Sequence, residues 1–154
     1  MYRFRFNEAI PEVVSLESIR GMEGLRVRKA YADAAASYGV TWKGRRYDQG
    51  DWASADPINR ALSAANACLY GVCHAAILSA GYSPGLGFIH TGKMLSFVYD
   101  IADLYKTQLT IPIAFRATAE GRPDIERAVR LECRMAFHEF RIMERVLPDI
   151  AEVL

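Results

Sequence analysis

Histidine and carboxylate side chains cluster in one stretch of the sequence, GYSPGLGFIHTGKMLSFVYDIADLYK, from Gly81 to Lys106. A loop rich in glycine and proline delivers His90, and the segment that follows carries Asp100 and Asp103, three residues apart. Histidine with carboxylates is a ligand set for a divalent cation such as Mn²⁺ or Mg²⁺. A third carboxylate, Glu23, lies far upstream in the middle of an apolar helical stripe. Together Glu23, His90, Asp103 and Asp100 read as a metal site suited to phosphodiester chemistry. The rest of the chain then serves as scaffold and as a cradle for DNA.

The elements that must position these residues are helices. Ser15 is a fair N-cap for a helix to about Tyr38, with Gly39 as its stop. Leu16, Ile19, Val27, Ala30, Ala34 and Tyr38 form its apolar stripe, and Glu23 falls at the stripe's centre. A carboxylate there is desolvated, which is costly unless it is paired or metal-bound. Gly21 and Gly24 flank it, each costing roughly 1 kcal/mol relative to alanine in a helix interior. They make sense if something must approach the backbone closely. A buried Glu–Arg ion pair beside a local helix break accounts for Glu23 as well as metal ligation does.

Residues 40–55 read as a loop that interleaves Trp42, Tyr47 and Trp52 with Lys43, Arg45 and Arg46. Basic and aromatic side chains on one loop suit a nucleic-acid lip. The tryptophans pinning a long loop to the core is the alternative, preferred for Trp52. Asp56-Pro57 is an N-cap followed by an N1 proline, opening a helix to about Ala80 before Gly81. Its apolar residues occupy most of its circumference, which marks a central, buried helix. Tyr70 lies on it within reach of the site, although an aromatic at helical spacing is more often core.

Ser96 to Lys106 reads as the helix of the aspartates, with Phe97, Ile101 and Leu104 on its apolar face. An acidic pair three residues apart usually marks a solvated face; what raises this pair is His90 a few residues earlier. A further helix spans about Thr110 to Glu120, and a long charged one runs from the Asp124 cap to about Val146, with Pro148 opening a short final turn. His74 reads as packed or surface, and His138 lies among surface charges without a role. GFIHTGK nearly spells a phosphate-binding loop, but Met94 stands where that loop needs a hydroxyl, and no strand precedes it. An NTPase is excluded.

The 154 residues amount to one domain. Composition is globular, and no apolar run approaches the roughly 20 residues of a membrane helix. The N-terminal residues lack the apolar core of a signal peptide. Tyr2, Phe4 and Phe6 alternate with Arg3 and Arg5 at strand period, so residues 1–14 read as a short edge piece or linker. Cys68, Cys73 and Cys133 are an odd count without metal spacing, as expected of reduced thiols in a cytoplasmic protein, and Cys68 and Cys73 read as small packing residues. The net charge is only +1, yet Arg20 to Arg46 holds seven basic residues against two acidic ones. That stripe either tracks phosphates or is a solvated helix face.

The strings RGMEGLRVR, YGVTWKGRRYD, DPINRALSAANACLYG, GYSPGLGFIHTGK and LSFVYDIADLYK resemble the C-terminal helical domain of the CRISPR-associated integrase family, in the subtype found with Cascade systems. The resemblance runs from about Ser15 to Leu154, and its motifs are specific in order and spacing. It implies an all-α catalytic domain over residues 15–154, a compact bundle with the long Pro57–Ala80 helix near its centre. It implies Glu23, His90 and Asp103 as ligands of Mg²⁺ or Mn²⁺, with Asp100 supporting them. Arg45, Arg46, Tyr47, Tyr70 and Lys106 fall where the family keeps basic or aromatic residues near DNA. Family members also carry an N-terminal β-rich domain that makes the dimer, of which residues 1–14 would be a remnant, and many extend past the last helix in a proline-rich tail.

The implied function is metal-dependent DNA cleavage and strand transfer in spacer acquisition, in which a DNA 3′-hydroxyl attacks a phosphodiester of the repeat array. The implied partners are double-stranded and branched DNA, a second copy in the full-length protein, and a small ferredoxin-like adaptation subunit, with no membrane. If His90 binds metal it must be neutral, so activity should fall in mildly acidic buffer. A competing reading is a catalytically idle helical DNA-binding or assembly module, in which Glu23 and Asp103 merely pair with arginines.

Overall fold

The computed structural model describes residues 15–45 and 56–154. They form six helices: α1 (Leu16–Tyr38), α2 (Pro57–Ser79), α3 (Ser96–Ala102), α4 (Thr110–Ala119), α5 (Ile125–Glu139) and α6 (Ile142–Val153). No strand occurs among the described residues, so the expected all-α class holds. The strand-like piece at residues 1–14, and Arg46, Tyr47 and Trp52 in the loop, lie outside the described residues.

Local chemistry sets the starts and stops of the first two helices. Ser15 caps α1 by accepting a hydrogen bond from the Ser18 N–H at 3.2 Å, and Gly39 ends it in the left-handed region at φ 65°. Asp56 caps α2 through the Asn59 N–H at 2.9 Å, with Pro57 at the first helical position. Its buried Ile58, Leu62, Leu69 and Ile77 side chains each contribute about 1.5–3 kcal/mol of burial free energy. By length and composition α2 could cross a membrane, contrary to the expectation that no segment of this chain could. It is instead the central helix, packed against α3, α4, α5 and α6.

Two boundaries differ from the sequence reading. The helix expected over residues 96–106 ends at Ala102. Beyond it, Leu104, Tyr105 and Gln108 donate to carbonyls three residues back, so the chain tightens into turns that lead to α4. The single helix expected over residues 124–146 is two. It breaks at Phe140–Arg141, where Arg141 takes φ 55°, and α6 runs on through Pro148 instead of starting there. No glycine or proline marks this break. What requires it is packing, because the new direction buries Ile142, Val146 and Ile150, while Tyr105 and Phe140 meet edge to face at 6.2 Å.

α1 packs chiefly on α4. Its Ala30, Ala34, Ala35 and Tyr38 are partly buried against the core, and the contact is completed by Tyr31, which stacks on Trp42 with ring centroids 4.8 Å apart. Trp42 in turn meets Phe115 of α4 at 5.6 Å. Trp42 therefore anchors its loop to the core.

Candidate active site

The loop between α2 and α3 is built around a buried carboxylate. Asp100, one turn into α3, has a fully buried side chain. Its Oδ2 accepts the backbone N–H groups of Phe88 at 2.5 Å and Ile89 at 3.0 Å, and its Oδ1 accepts the N–H of His90 at 2.9 Å. Burial would raise the Asp100 carboxyl, but these backbone donors and the His90 ring outweigh it and hold the group below the usual carboxylate range. The pair Asp100 and Asp103 is thus not one solvated face. Asp100 is interior and Asp103 lies at the cleft, with its side chain 22% exposed.

Gly87 makes the turn possible. A Cβ there would lie 2.3 Å from the His90 carbonyl oxygen and 2.7 Å from the Ser96 carbonyl carbon. Ser96 closes the loop from the other side. Its hydroxyl accepts from the Lys93 N–H and donates to the Lys93 carbonyl, at 3.1 and 2.9 Å.

This frame fixes His90. Its Nδ1 lies 2.7 Å from Asp100 Oδ1, and the Tyr99 ring meets the imidazole edge to face at 5.8 Å. An ionised Asp100 accepts a hydrogen bond from Nδ1–H, so the neutral imidazole carries its lone pair on Nε2. That nitrogen lies 4.0 Å from Asp103 Oδ2.

Asp103 joins His90 to the α1 side. With Glu23, Val27, Tyr31, Lys106, Thr107 and Ile111 it lines a cavity of about 170 Å³. Glu23 is buried, as its position in the stripe predicts, and receives a two-pronged contact from Arg26, with Nε and Nη2 each 2.9 Å from a carboxylate oxygen. The Glu–Arg ion pair considered from sequence is therefore present. The helix break that went with it is not, because α1 is continuous. A Cβ at Gly21 would meet nothing within 4 Å, and one at Gly24 only the Arg28 guanidinium at 3.7 Å. Among the described residues nothing is the close neighbour that these glycines were expected to admit.

Lys106 Nζ lies 2.6 Å from Asp103 Oδ1 and 4.9 Å from the centre of the Tyr70 ring. Burial lowers the affinity of this amine for its proton, but the Asp103 charge and the Tyr70 hydroxyl outweigh that and raise its pKa above the ordinary lysine value. Tyr70 is edge-on to Tyr99 at 5.0 Å. Arg45 is seated on the first turns of α2, donating to the Asn59 carbonyl and side-chain oxygens at 2.9 Å and to the Ser63 hydroxyl at 2.8 Å. It staples its loop to the central helix.

Among the described residues no three His, Cys, Asp or Glu side chains already converge on one point. The structure instead assembles two halves, His90–Asp103 and Glu23–Asp103, that share Asp103. Their donor set of one imidazole nitrogen and carboxylate oxygens suits Mg²⁺ or Mn²⁺. Arg26 and Tyr31 were not singled out from sequence. Arg26 had a signal, since it stands three residues after Glu23 on one helix. Tyr31 had none, because its place in the cavity depends on how α1 meets the turn after α3.

A helical domain with a carboxylate-held histidine beside an acidic cleft is the class this geometry defines. Comparison with known proteins makes it specific. Residues 4–136 match the family described as CRISPR associated protein Cas1, and the chain belongs to that family. It is 57% identical over 150 residues to CRISPR-associated endonuclease Cas1 2 of Thermus thermophilus, covering 97% of this chain and 46% of the relative. It is 51% identical to CRISPR-associated endonuclease Cas1 of Escherichia coli K12, covering 100% of this chain and 50% of the relative. The chain thus spans about half the length of these curated relatives. A crystal structure of a TtCas1–DNA complex superposes with a TM-score of 0.91 at 55% identity, covering 98% of this chain and 56% of that one. A crystal structure of TtCas1 superposes at 0.86 with 54% identity, covering 97% and 56%.

Proposed function

We propose that this chain is the helical catalytic part of a CRISPR-adaptation nuclease and integrase that transfers a DNA 3′-hydroxyl onto a phosphodiester of the repeat array. The observation that carries the reading is the setting of His90. Its Nδ1 is held by a buried carboxylate and its Nε2 faces a second carboxylate across 4.0 Å. This is how a metal-binding imidazole is oriented by an outer carboxylate.

Glu23, His90 and Asp103 would hold Mg²⁺ or Mn²⁺. A cation held by these residues would supply Lewis-acid stabilisation of the phosphoryl group and of charge on the attacking and leaving oxygens. Asp100 orients His90 and fixes its proton on Nδ1. Lys106, held by Asp103 and Tyr70, keeps a positive charge beside the cleft for a phosphate oxygen, and Arg26 adds a second. Arg45 contributes indirectly by holding the loop that also carries Arg46 and Tyr47. The DNA complex formed by TtCas1 supports DNA as the substrate, and double-stranded or branched DNA is the form proposed here. A second copy and a small ferredoxin-like subunit would complete the assembly in the full-length protein, which would work in the cytoplasm.

One observation favours the idle-module reading: Glu23 already pairs with Arg26, and Asp103 with Lys106. Calorimetric titration of Mn²⁺, followed by cleavage and joining assays on branched DNA, separates the two. Glu23→Gln and Asp103→Asn are expected to keep DNA binding and lose metal binding and chemistry. Metal-independent behaviour of the wild-type chain, with DNA binding intact, would establish the idle module.

A further inference from the structure

Tyr31 brings to the cleft a hydroxyl that the proposed chemistry does not use. Glu23, Val27 and Tyr31 follow one another at four-residue steps on α1, so they share one face of that helix. With Asp103 and Lys106 from the turn after α3, and Ile111 from α4, they line the cavity of about 170 Å³. Two other rings hold the Tyr31 ring, and neither lines the cavity. Trp42 stacks on it with the planes 9° apart, and Phe115 meets it at 6.3 Å and 55°. Among the described residues the Tyr31 hydroxyl makes no hydrogen bond, although Lys106 and Asp103 lie within its electrostatic reach.

The cations of the cleft are committed differently. Arg26 already meets Glu23, and Lys106 already meets Asp103. Drawing either one toward a phosphate takes it from a carboxylate. The Tyr31 hydroxyl is a neutral donor with no such partner to lose. A half-buried hydroxyl without a partner carries a desolvation cost that a phosphate oxygen would relieve. Because the ring is already held, little side-chain freedom is lost when the hydroxyl takes up that partner.

We propose that Tyr31 is a substrate-binding residue whose hydroxyl donates a hydrogen bond to a phosphate oxygen of a DNA strand in this cleft. The proposal rests on the reading of the cleft as a DNA site and names a contact within it. Tyrosine hydroxyls are among the side-chain donors that phosphates use, and such contacts set the register of the strand without reading its bases. Side chains on a helix lean toward its N-terminus, which here is the Glu23 end. The bond would therefore hold the strand against Glu23 and Asp103 without adding charge.

The test measures DNA binding by the chain in the absence of divalent metal, by fluorescence anisotropy. A branched DNA carries, in turn, one methylphosphonate at each phosphate around the branch, which replaces a charged oxygen with a methyl group. Tyr31→Phe keeps the ring, so its melting temperature and near-ultraviolet circular dichroism should match the wild type, while its DNA affinity falls about 10- to 100-fold. At one position the methylphosphonate should weaken the wild type and leave Tyr31→Phe no weaker than it already is. Tyr38→Phe removes a hydroxyl from the same helix away from the cavity and should bind as the wild type does.

The proposal is overturned if Tyr31→Phe binds DNA like the wild type, if its loss adds to that of the methylphosphonate at every position, or if the wild type binds no DNA. Cleavage and joining assays fail separately. A chain without metal-dependent chemistry whose Tyr31 is still coupled to one phosphate would sink the proposed reaction and uphold the contact. An active chain indifferent to Tyr31→Phe would sink the contact alone.

Discussion

The His90 loop and the α1 edge contribute to the same cleft by opposite means. On the loop side, Asp100 is fully buried and satisfied by three backbone N–H groups and a ring nitrogen from its own chain. On the α1 side, Glu23 is held by the side chain of Arg26, one turn away on a helix with no fully buried apolar residue among those whose side chains are described. Backbone donors cannot leave without unfolding the loop. A guanidinium on a flexible stem can swing away, with a cost near that of a partly exposed ion pair. One carboxylate is therefore structural and positions His90, while the other is held by a contact that the proposed function would exchange for a cation. Asp103, between them, touches both worlds.

The largest effect that would test this contrast is Asp100→Ala. It strands three backbone donors and releases His90, so about 3–5 kcal/mol of stability should be lost in chemical denaturation, at about 1–3 kcal/mol per unsatisfied group with partial rehydration. A variant that unfolds with the wild type would show that the loop does not depend on Asp100.

Gly87→Ala comes next. The added methyl meets backbone atoms of His90 and Ser96, and relief by backbone shifts should cost about 1–3 kcal/mol. The loss should appear both in thermal melts and as faster hydrogen exchange at residues 88–90.

Acid sharpens the contrast further. Asp100 has a depressed folded pKa, so its stabilising contribution is fully present above its unfolded value of about 3.9 and is lost as pH falls through the lower folded value. A plot of stability against pH should therefore fall on the acid side, and Asp100→Asn should flatten that slope. An unchanged slope would move the acid sensitivity elsewhere.

The smallest stability effect belongs to Glu23→Gln. Losing a partly buried pair with Arg26 should change stability by only about 0.5–1 kcal/mol, while the proposed Mn²⁺-dependent cleavage should disappear. A loss as large as that of Asp100→Ala would place Glu23 among the structural carboxylates and dissolve the distinction.

Much of this was legible in the residues. The caps at Ser15, Asp56 and Asp124, the stop at Gly39 and the apolar circumference of α2 all act within a few residues of chain, where periodicity and capping chemistry operate. Glu23 could be expected in a desolvated place because its helical phase says so. The break at Arg141 was not legible, because its cause is the burial of Ile142, Val146 and Ile150 against a distant helix. Nor was the seat of Arg45, whose partners Asn59 and Ser63 lie across a loop of fourteen or more residues.

The amino-acid sequence by itself determined the helical class, the central helix, and the histidine and carboxylates from which a metal site can be drawn. It did so because helix propensity, capping and side-chain chemistry are local properties. Only the tertiary structure decided that Asp100 turns inward to hold His90 while Asp103 faces the cleft, and that Arg26 and Lys106 already occupy the carboxylates. Those outcomes depend on which groups from distant parts of the chain reach each other and which lose water on the way. Spacing along a helix specifies the face a residue shares and leaves open what that face will meet.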